Sequence, residues 1–189
     1  MVKVGFICEG ATEKIIIESS DFKNFLKENN LVFIKAVDAT GNGNLKPQNI
    51  EPFIKELLDE GADKIFILTD LDEDLCITKI KERINAPEGL IVIVAKKVIE
   101  AWFLADSKML RGFFNDENFH FDFPENESNP LQVLNDLFKN KLNRGIGKNK
   151  PVAANKMVNN GFSISSAAMH PNCSSAVYFI NKLRSINLA

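Results

Sequence analysis

The stretch Lys64-Ile-Phe-Ile-Leu-Thr-Asp-Leu-Asp-Glu-Asp74 decides the fold. An apolar run of strand length ends in Asp70 and Asp72, and acids in that position stand where the carboxyl ends of an open α/β sheet receive ligands. Two residues apart, the side chains are expected to share one side of the strand end. Clusters of carboxylate oxygens suit Mg²⁺ or Mn²⁺. A second strand, Val2-Lys-Val-Gly-Phe-Ile-Cys8, is turned into a helix by Glu9-Gly-Ala-Thr-Glu13, so Glu9 and Glu13 flank a turn that glycine permits.

Outward from these two strands the chain alternates. Residues 12–29 place Ile15, Ile16, Phe22, Phe25 and Leu26 at helical spacing behind a Thr12 cap, and Leu31 to Val37 form a strand. After the loop Gly41-Asn-Gly-Asn44, Pro47 opens a helix that shows Ile50, Phe53, Ile54, Leu57 and Leu58 on one side and stops at Gly61. Lys64 to Leu68 make the third strand, residues 75–85 a short helix, and Leu90 to Ala95 a fourth strand rich in β-branched residues. This order predicts an α/β, Rossmann-type core of about four mostly parallel strands joined by right-handed crossovers.

Beyond residue 96 the pattern turns helical. Val98 to Asp106 gathers Ile99, Trp102 and Phe103 into an apolar set with Glu100 pointing elsewhere, and residues 113–128 form an irregular loop rich in Phe and acids. Asn129-Pro130 opens a helix through Phe138, Asn140 to Lys150 read as a mobile loop, and Asn172 to Ile186 close the chain as a helix. The division is a core of residues 1–112 and a helical extension of residues 113–189 packed on it.

With 189 residues and 45% hydrophobic content the chain has enough apolar surface for a core of its own. No stretch has the length of a membrane span and the N-terminus enters a strand directly, which makes a cytoplasmic, membrane-free protein the expectation. Cys8, Cys76 and Cys173 are too scattered for a zinc motif and odd in number, hence read as inert thiols. The net charge of −2 hides an asymmetry: residues 137–189 carry eight Lys and Arg and no Asp or Glu, leaving the acidic excess in residues 1–136. Such polarity points to a polyanionic partner, DNA or RNA.

Parallel order brings the ends of the first and third strands to one sheet edge, where Glu9, Glu13, Asp70 and Asp72 are expected to converge. Crowded carboxylates raise one another's pKa, so a divalent cation is the natural neutraliser. A bound Mg²⁺ or Mn²⁺ polarises phosphoryl oxygens and activates water, and phosphodiester cleavage is the use that follows.

Glu9-Gly-Ala-Thr-Glu13 after one strand and Thr69-Asp-Leu-Asp72 after another resemble the Toprim domain shared by topoisomerases, primases and the overcoming-lysogenization-defect nucleases. With Glu100-Ala-Trp-Phe-Leu-Ala-Asp106 added, nearly the whole chain looks like a family of small bacterial Toprim-like proteins related to those nucleases. The resemblance implies metal binding by Glu9, Glu13, Asp70 and Asp72, a further catalytic acid at Glu100, and a catalytic lysine at Lys148 or Lys150. It also implies a nuclease with a place in phage defence; the oligomeric state is open, with a homodimer or a partner protein of a larger defence system as the partners to look for. The glycine that commonly closes the Toprim Asp-x-Asp turn is absent; Asp74 and Leu75 follow instead.

Two other readings stand beside the nuclease. One is a non-catalytic Toprim-like module that binds a nucleotide or nucleic acid. The other is a phosphatase-like hydrolase with an Asp-x-Asp nucleophile pair, weakened because Asp74 holds the place of the expected threonine. Trp102 reads as core, and neither His120 nor His170 as catalytic.

Overall fold

The computed structural model describes residues 1–186. Its centre is a four-stranded, all-parallel sheet in the order β2-β1-β3-β4, built from β1 (Val2–Cys8), β2 (Leu31–Asp38), β3 (Lys64–Asp70) and β4 (Ile91–Ala95). Chain direction across the sheet reverses between β1 and β3: the chain passes from β1 outward to β2, then back across β1 to β3 and on to β4. That reversal is the switch point at which open α/β sheets bind ligands.

Both faces of the sheet are covered, which is why its strands read as nearly unbroken apolar runs. On one face Val4, Phe6, Cys8, Phe66 and Leu68 pack against α1 (Ala11–Ile17), α2 (Ser20–Glu28) and the C-terminal helices. On the other, Ile7, Ile65, Ile67 and Val94 meet α3 (Glu51–Asp59) and α4 (Ile77–Ile84). The β1–β3 register sets Phe6 beside Phe66 with ring centroids 5.5 Å apart, and Phe179 closes on both.

The remaining helices are α5 (Ala101–Ala105), α6 (Ser107–Phe114), α7 (Pro130–Leu142), α8 (Lys150–Asn159), α9 (Ile164–Ala167) and α10 (Ser174–Ser185). Their buried side chains belong to the same apolar cluster as the strands, with no break near residue 112. Trp102 is wholly buried in it, stacked on Phe179 at 6.0 Å, and its indole N–H donates to Ser175 Oγ at 2.8 Å. Two buried acids tie the helices together. Asp106 accepts from the backbone N–H groups of Met109 and Ser163 and from the Ser166 hydroxyl, and Glu125 accepts from the backbone and hydroxyl of both Ser174 and Ser175 at the start of α10.

Several sequence expectations need correction. The helix read over 12–29 is two helices, because Ser19 adopts extended backbone and its hydroxyl accepts from Phe22 N at 3.2 Å, capping a new start. A 3₁₀ turn at Asn42–Leu45 stands in the loop before Pro47, and Pro47 does not open α3: it sits in a turn over residues 47–49, and the helix starts at Glu51 with Pro52 in its first turn. The supposed mobile loop Asn140 to Lys150 is shorter and anchored. Helix α7 runs on to Leu142, so Lys139 and Lys141 are helical, and the buried Asn135 Oδ1 accepts from both Ile146 N and Gly147 N at 3.0 Å. A Cβ on Gly145 would fall 2.4 Å from that oxygen, which explains the glycine. Helices α6, α8 and α9 have no counterpart in the sequence reading, and α6 takes in residues 113 and 114, which were read as loop. Among the described residues no helix is long and apolar enough to cross a membrane, and all three cysteines are free.

Candidate active site

A cleft of about 310 Å³ opens at the carboxyl ends of β1, β2 and β3, lined by Glu9, Glu13, Asp38, Asp70, Asp72 and Lys150 among others. It lies at the switch point of the sheet. The register sets Cys8 against Leu68, and Glu9 N donates to Leu68 O at 2.9 Å, so Glu9 stands beside the end of β3.

Four acids at this edge, Glu9, Glu13, Asp38 and Asp70, are each held by one oxygen. Glu9 Oε2 accepts from the Thr69 hydroxyl and from Asp70 N at 3.2 Å. Glu13 Oε2 reaches back to Gly10 N at 3.0 Å, satisfying a donor at the start of α1. Asp70 Oδ1 accepts from Ile99 N at 2.8 Å, and Asp38 Oδ1 from Thr40 N at 2.7 Å. The second oxygen of each has no hydrogen-bond partner among the described residues. Backbone donors thus orient the carboxylates and leave one lone-pair face of each uncommitted, as outer-shell partners orient ligands in metal sites.

Glu100 goes further. It is 0% exposed, and neither oxygen makes a hydrogen bond; its counter-charge is Lys150, whose Nζ lies 3.3 Å from Oε2. Glu100 precedes the one-turn helix α5 and is directed at Lys150 beside the cleft, buried where the sequence reading left its burial unspecified. Lys150 is the first residue of α8, where a cation is disfavoured by the helix dipole. The acids in front of it offset that cost. Both lysines are exposed, but Lys150 lines the cleft and Lys148 does not.

Electrostatics record the crowding. Burial pushes the Asp70 carboxyl well above the usual carboxylate range, with Glu13, Glu100 and Glu9 adding to the rise and Lys150 opposing it. Burial also pushes Glu13 up to about 7; its backbone hydrogen bond and Lys150 counter this, while Glu100 and Glu9 reinforce it. For Lys150 burial works to lower the pKa, but Glu100 and Asp70 outweigh it and the net shift is upward. A raised acid stabilises the fold at low pH: between 4.5 and about 7 the folded protein keeps a proton on Glu13 that the unfolded chain has released. Without divalent cations, stability is therefore expected to fall as pH rises from about 4.5 through about 7. Thermal melts of the protein and of Glu13→Gln in chelator check this. The difference between them should widen across that window, and parallel curves would contradict it.

Asp72 departs from expectation. Strand β3 ends at Asp70, and Asp72 lies on the following loop, exposed, with φ +51°. It lines the same cleft but reaches it through a left-handed turn, not by strand alternation. Short polar side chains tolerate that conformation, so the missing glycine is no obstacle. Gly10, by contrast, has φ −152°, which other residues adopt, and the turn after β1 does not demand glycine. Asp74 is turned to Arg83 Nη1 at 2.8 Å. Asp38 went unnoticed in the sequence although it shows the same signal, an acid directly after a strand. Beside it Thr40, β-branched, holds φ +58°, an unusual strain next to a cleft.

Among the described residues no three His, Cys, Asp or Glu side chains are disposed as they stand to hold a metal ion. The donor chemistry nevertheless fits a hard divalent cation: carboxylate oxygens, those of Glu9, Glu13, Asp38 and Asp70 each anchored on one side and open on the other, with the buried Glu100 carboxylate, which makes no hydrogen bond, behind them. Lys150 now supplies the positive charge.

No protein-family model matches the chain, and no curated protein does. Among solved structures it is similar to the C-terminal region of the Xanthomonas campestris pv. campestris OLD protein. One structure of that region shows 16% identity and a TM-score of 0.37, covering 97% of this chain and 96% of the other. A second shows 15% identity and a TM-score of 0.34 over 98% of each.

Proposed function

We propose that this chain is a Toprim-type, Mg²⁺- or Mn²⁺-dependent nuclease whose chemistry is done in the cleft at the ends of β1 and β3. The observation that supports the reading is the set of anchored, half-committed carboxylates around the buried Glu100 and its half-exposed partner Lys150. A purely structural acid cluster would spend both oxygens on donors, as Asp106 and Glu125 do elsewhere in this protein. Glu9, Glu13, Asp70 and Asp72 would hold the cation, with Glu100 next to them. The ion supplies Lewis acidity toward a phosphoryl oxygen and a nucleophilic water near neutral pH.

The chain's own residues then have separate tasks. Glu9 and Asp70 are kept in register by the strand pairing and by the donors Thr69 and Ile99. Lys150 stabilises negative charge in the cleft and, drawn to Asp70 and Glu13 as well as Glu100, is placed to offset charge developing on a phosphoryl oxygen. The basic C-terminal third favours a nucleic-acid substrate.

Incubation with single- and double-stranded DNA and RNA, with Mg²⁺, Mn²⁺ or chelator, tests this. Cleavage of at least one substrate that requires the ion and disappears in Asp70→Asn is the expected outcome. Binding of nucleic acid without cleavage under all conditions would favour the non-catalytic module, and a phosphorylated Asp70 after incubation with a phosphate monoester would favour the phosphatase-like hydrolase.

A further inference from the structure

Two cavities away from the acidic cleft adjoin each other on α6. One, of about 490 Å³, lies between α6, the end of α7 and the end of α8 and includes Lys108, Gly112, Arg144 and Gly161. The other, of about 260 Å³, lies on the α9 side and includes Lys108, Arg111, His120 and His170. Lys108 belongs to both, so the two flank a common cation and are treated together as one basic tract. No Asp or Glu lines either.

The cations of this tract are mostly uncommitted: Arg111 shares the field of Asp116, and His120 Nε2 lies 3.8 Å from Asp122 Oδ1. Lys108, Arg111 and Arg144 form no ion pair among the described residues, whereas Lys35, Arg83, Lys141 and Lys150 each do. Arg111 Nε donates to Phe119 O at 3.0 Å, which fixes the side chain without neutralising it. Lys156, behind the groove, has its pKa lowered by burial and by Arg144, a mark of cations gathered without counter-charge. His170 is held neutral, with Nδ1 accepting from Asn172 N at 3.1 Å and Nε2 2.8 Å from Phe121 O. Stacked on it at 4.6 Å is the exposed His120.

We infer that this tract binds the phosphodiester backbone of the nucleic acid, beyond the segment being cleaved. The inference rests on the proposed nuclease reading for its ligand. Several separated cations along two neighbouring cavities suit a chain of phosphates better than one small anion. Helix α8 links the two places: Lys150 and Pro151 at its start line the acidic cleft, and Asn160 and Gly161 just past its end line the basic tract. Ten residues at 1.5 Å each separate them by about 15 Å, or about four steps of a strand rising 3.4 Å per nucleotide. Oligonucleotides shorter than about that length cannot reach both.

The test is binding of labelled oligonucleotides, short (about four nucleotides) and long (about twenty), in chelator so that no cleavage occurs, over a range of salt. Wild type is compared with Lys108→Glu/Arg144→Glu, with the milder Lys108→Gln/Arg144→Gln, and with Lys55→Glu on the exposed side of α3 as a charge control. Both double variants replace exposed residues, and melts confirm folding. The inference expects charge reversal to weaken long-oligonucleotide binding at least tenfold and to flatten the log–log salt slope by about 1.4 to 1.8. The Gln pair should show a smaller loss in the same direction, short oligonucleotides a smaller loss than long ones because fewer of their phosphates meet the tract, and Lys55→Glu none. Unchanged affinity and slope on a nucleic acid that wild type binds overturns the tract and leaves the nuclease reading intact. Inorganic phosphate that competes fully with the long oligonucleotide at this tract also overturns it, in favour of a single-anion site. If wild type binds no nucleic acid of any kind, the tract and the nucleic-acid substrate fall together.

Discussion

Asp70→Asn is expected to lower the rate of cleavage by about a thousandfold or more while making the folded protein more stable. The first part follows from removing an open carboxylate oxygen from the cleft: a metal-supported step draws several kcal/mol from its ligands, and about 4 kcal/mol is a thousandfold. The second follows from the position of Asp70. Its Oδ1 accepts from Ile99 N, a bond the amide oxygen of Asn preserves, while the charge that burial and the acids nearby disfavour is gone. A gain of about 1–2 kcal/mol at pH 8 in chelator is the expected size, the trade of stability against activity that functional sites show. Asp70→Ala, which orphans the Ile99 N–H, should instead cost about 1–3 kcal/mol. Chemical denaturation of the three proteins, with a cleavage assay on the same samples, checks both parts. A structural Asp70 would show the reverse, with Asn destabilised and activity falling only with the folded fraction.

Lys150→Met should destabilise the protein by about 3 kcal/mol, because it leaves the wholly buried Glu100 without counter-charge. Removing one partner of a buried pair costs about 3–5 kcal/mol, and the lower end applies here since the Lys150 side chain is 49% exposed. Combining it with Glu100→Gln should bring stability back near wild type, since no charge is then stranded. The informative arm is the ion. If Mn²⁺ enters the cleft, a hundredfold excess over Kd contributes about 2.7 kcal/mol and recovers most of the loss in Lys150→Met. No recovery with Mn²⁺ would separate the lysine's charge from the cation's.

How far the sequence disclosed this depends on the residue. The strands and the acids after them were legible because a strand buried on both faces reads as an apolar run and the polar residue ending it stands out, as in Leu68-Thr69-Asp70. Asp38 carried the same signal more faintly, since β2 is an edge strand with partly exposed residues. The complete burial of Glu100 was hidden: helix α5 has only five residues, too few for a period to show how deep its neighbours lie. Helix α8 was missed because it buries small or scattered residues, Ala153, Ala154 and Met157, and presents no apolar stripe. With it went the choice between Lys148 and Lys150, which turns on where α8 begins and on the clamp of Asn135 over the preceding loop. The basic tract was invisible in principle, as its cations come from α6 and from the loop after α7, and only the packing of those helices brings them together.

The central claim is that the acids at the ends of β1 and β3 form a divalent-cation site. A crystal structure of the protein grown with Mn²⁺, with anomalous scattering recorded, tests it most directly. The account predicts an anomalous peak inside the cleft, bound by the open oxygens of Glu9 and Asp70 with further oxygens from Glu13, Asp72 or water, and the Lys150 ammonium displaced or re-aimed to make room. An empty cleft at saturating Mn²⁺, with Lys150 still on Glu100 and the second oxygens of Glu9 and Asp70 bonded only to water, would contradict it.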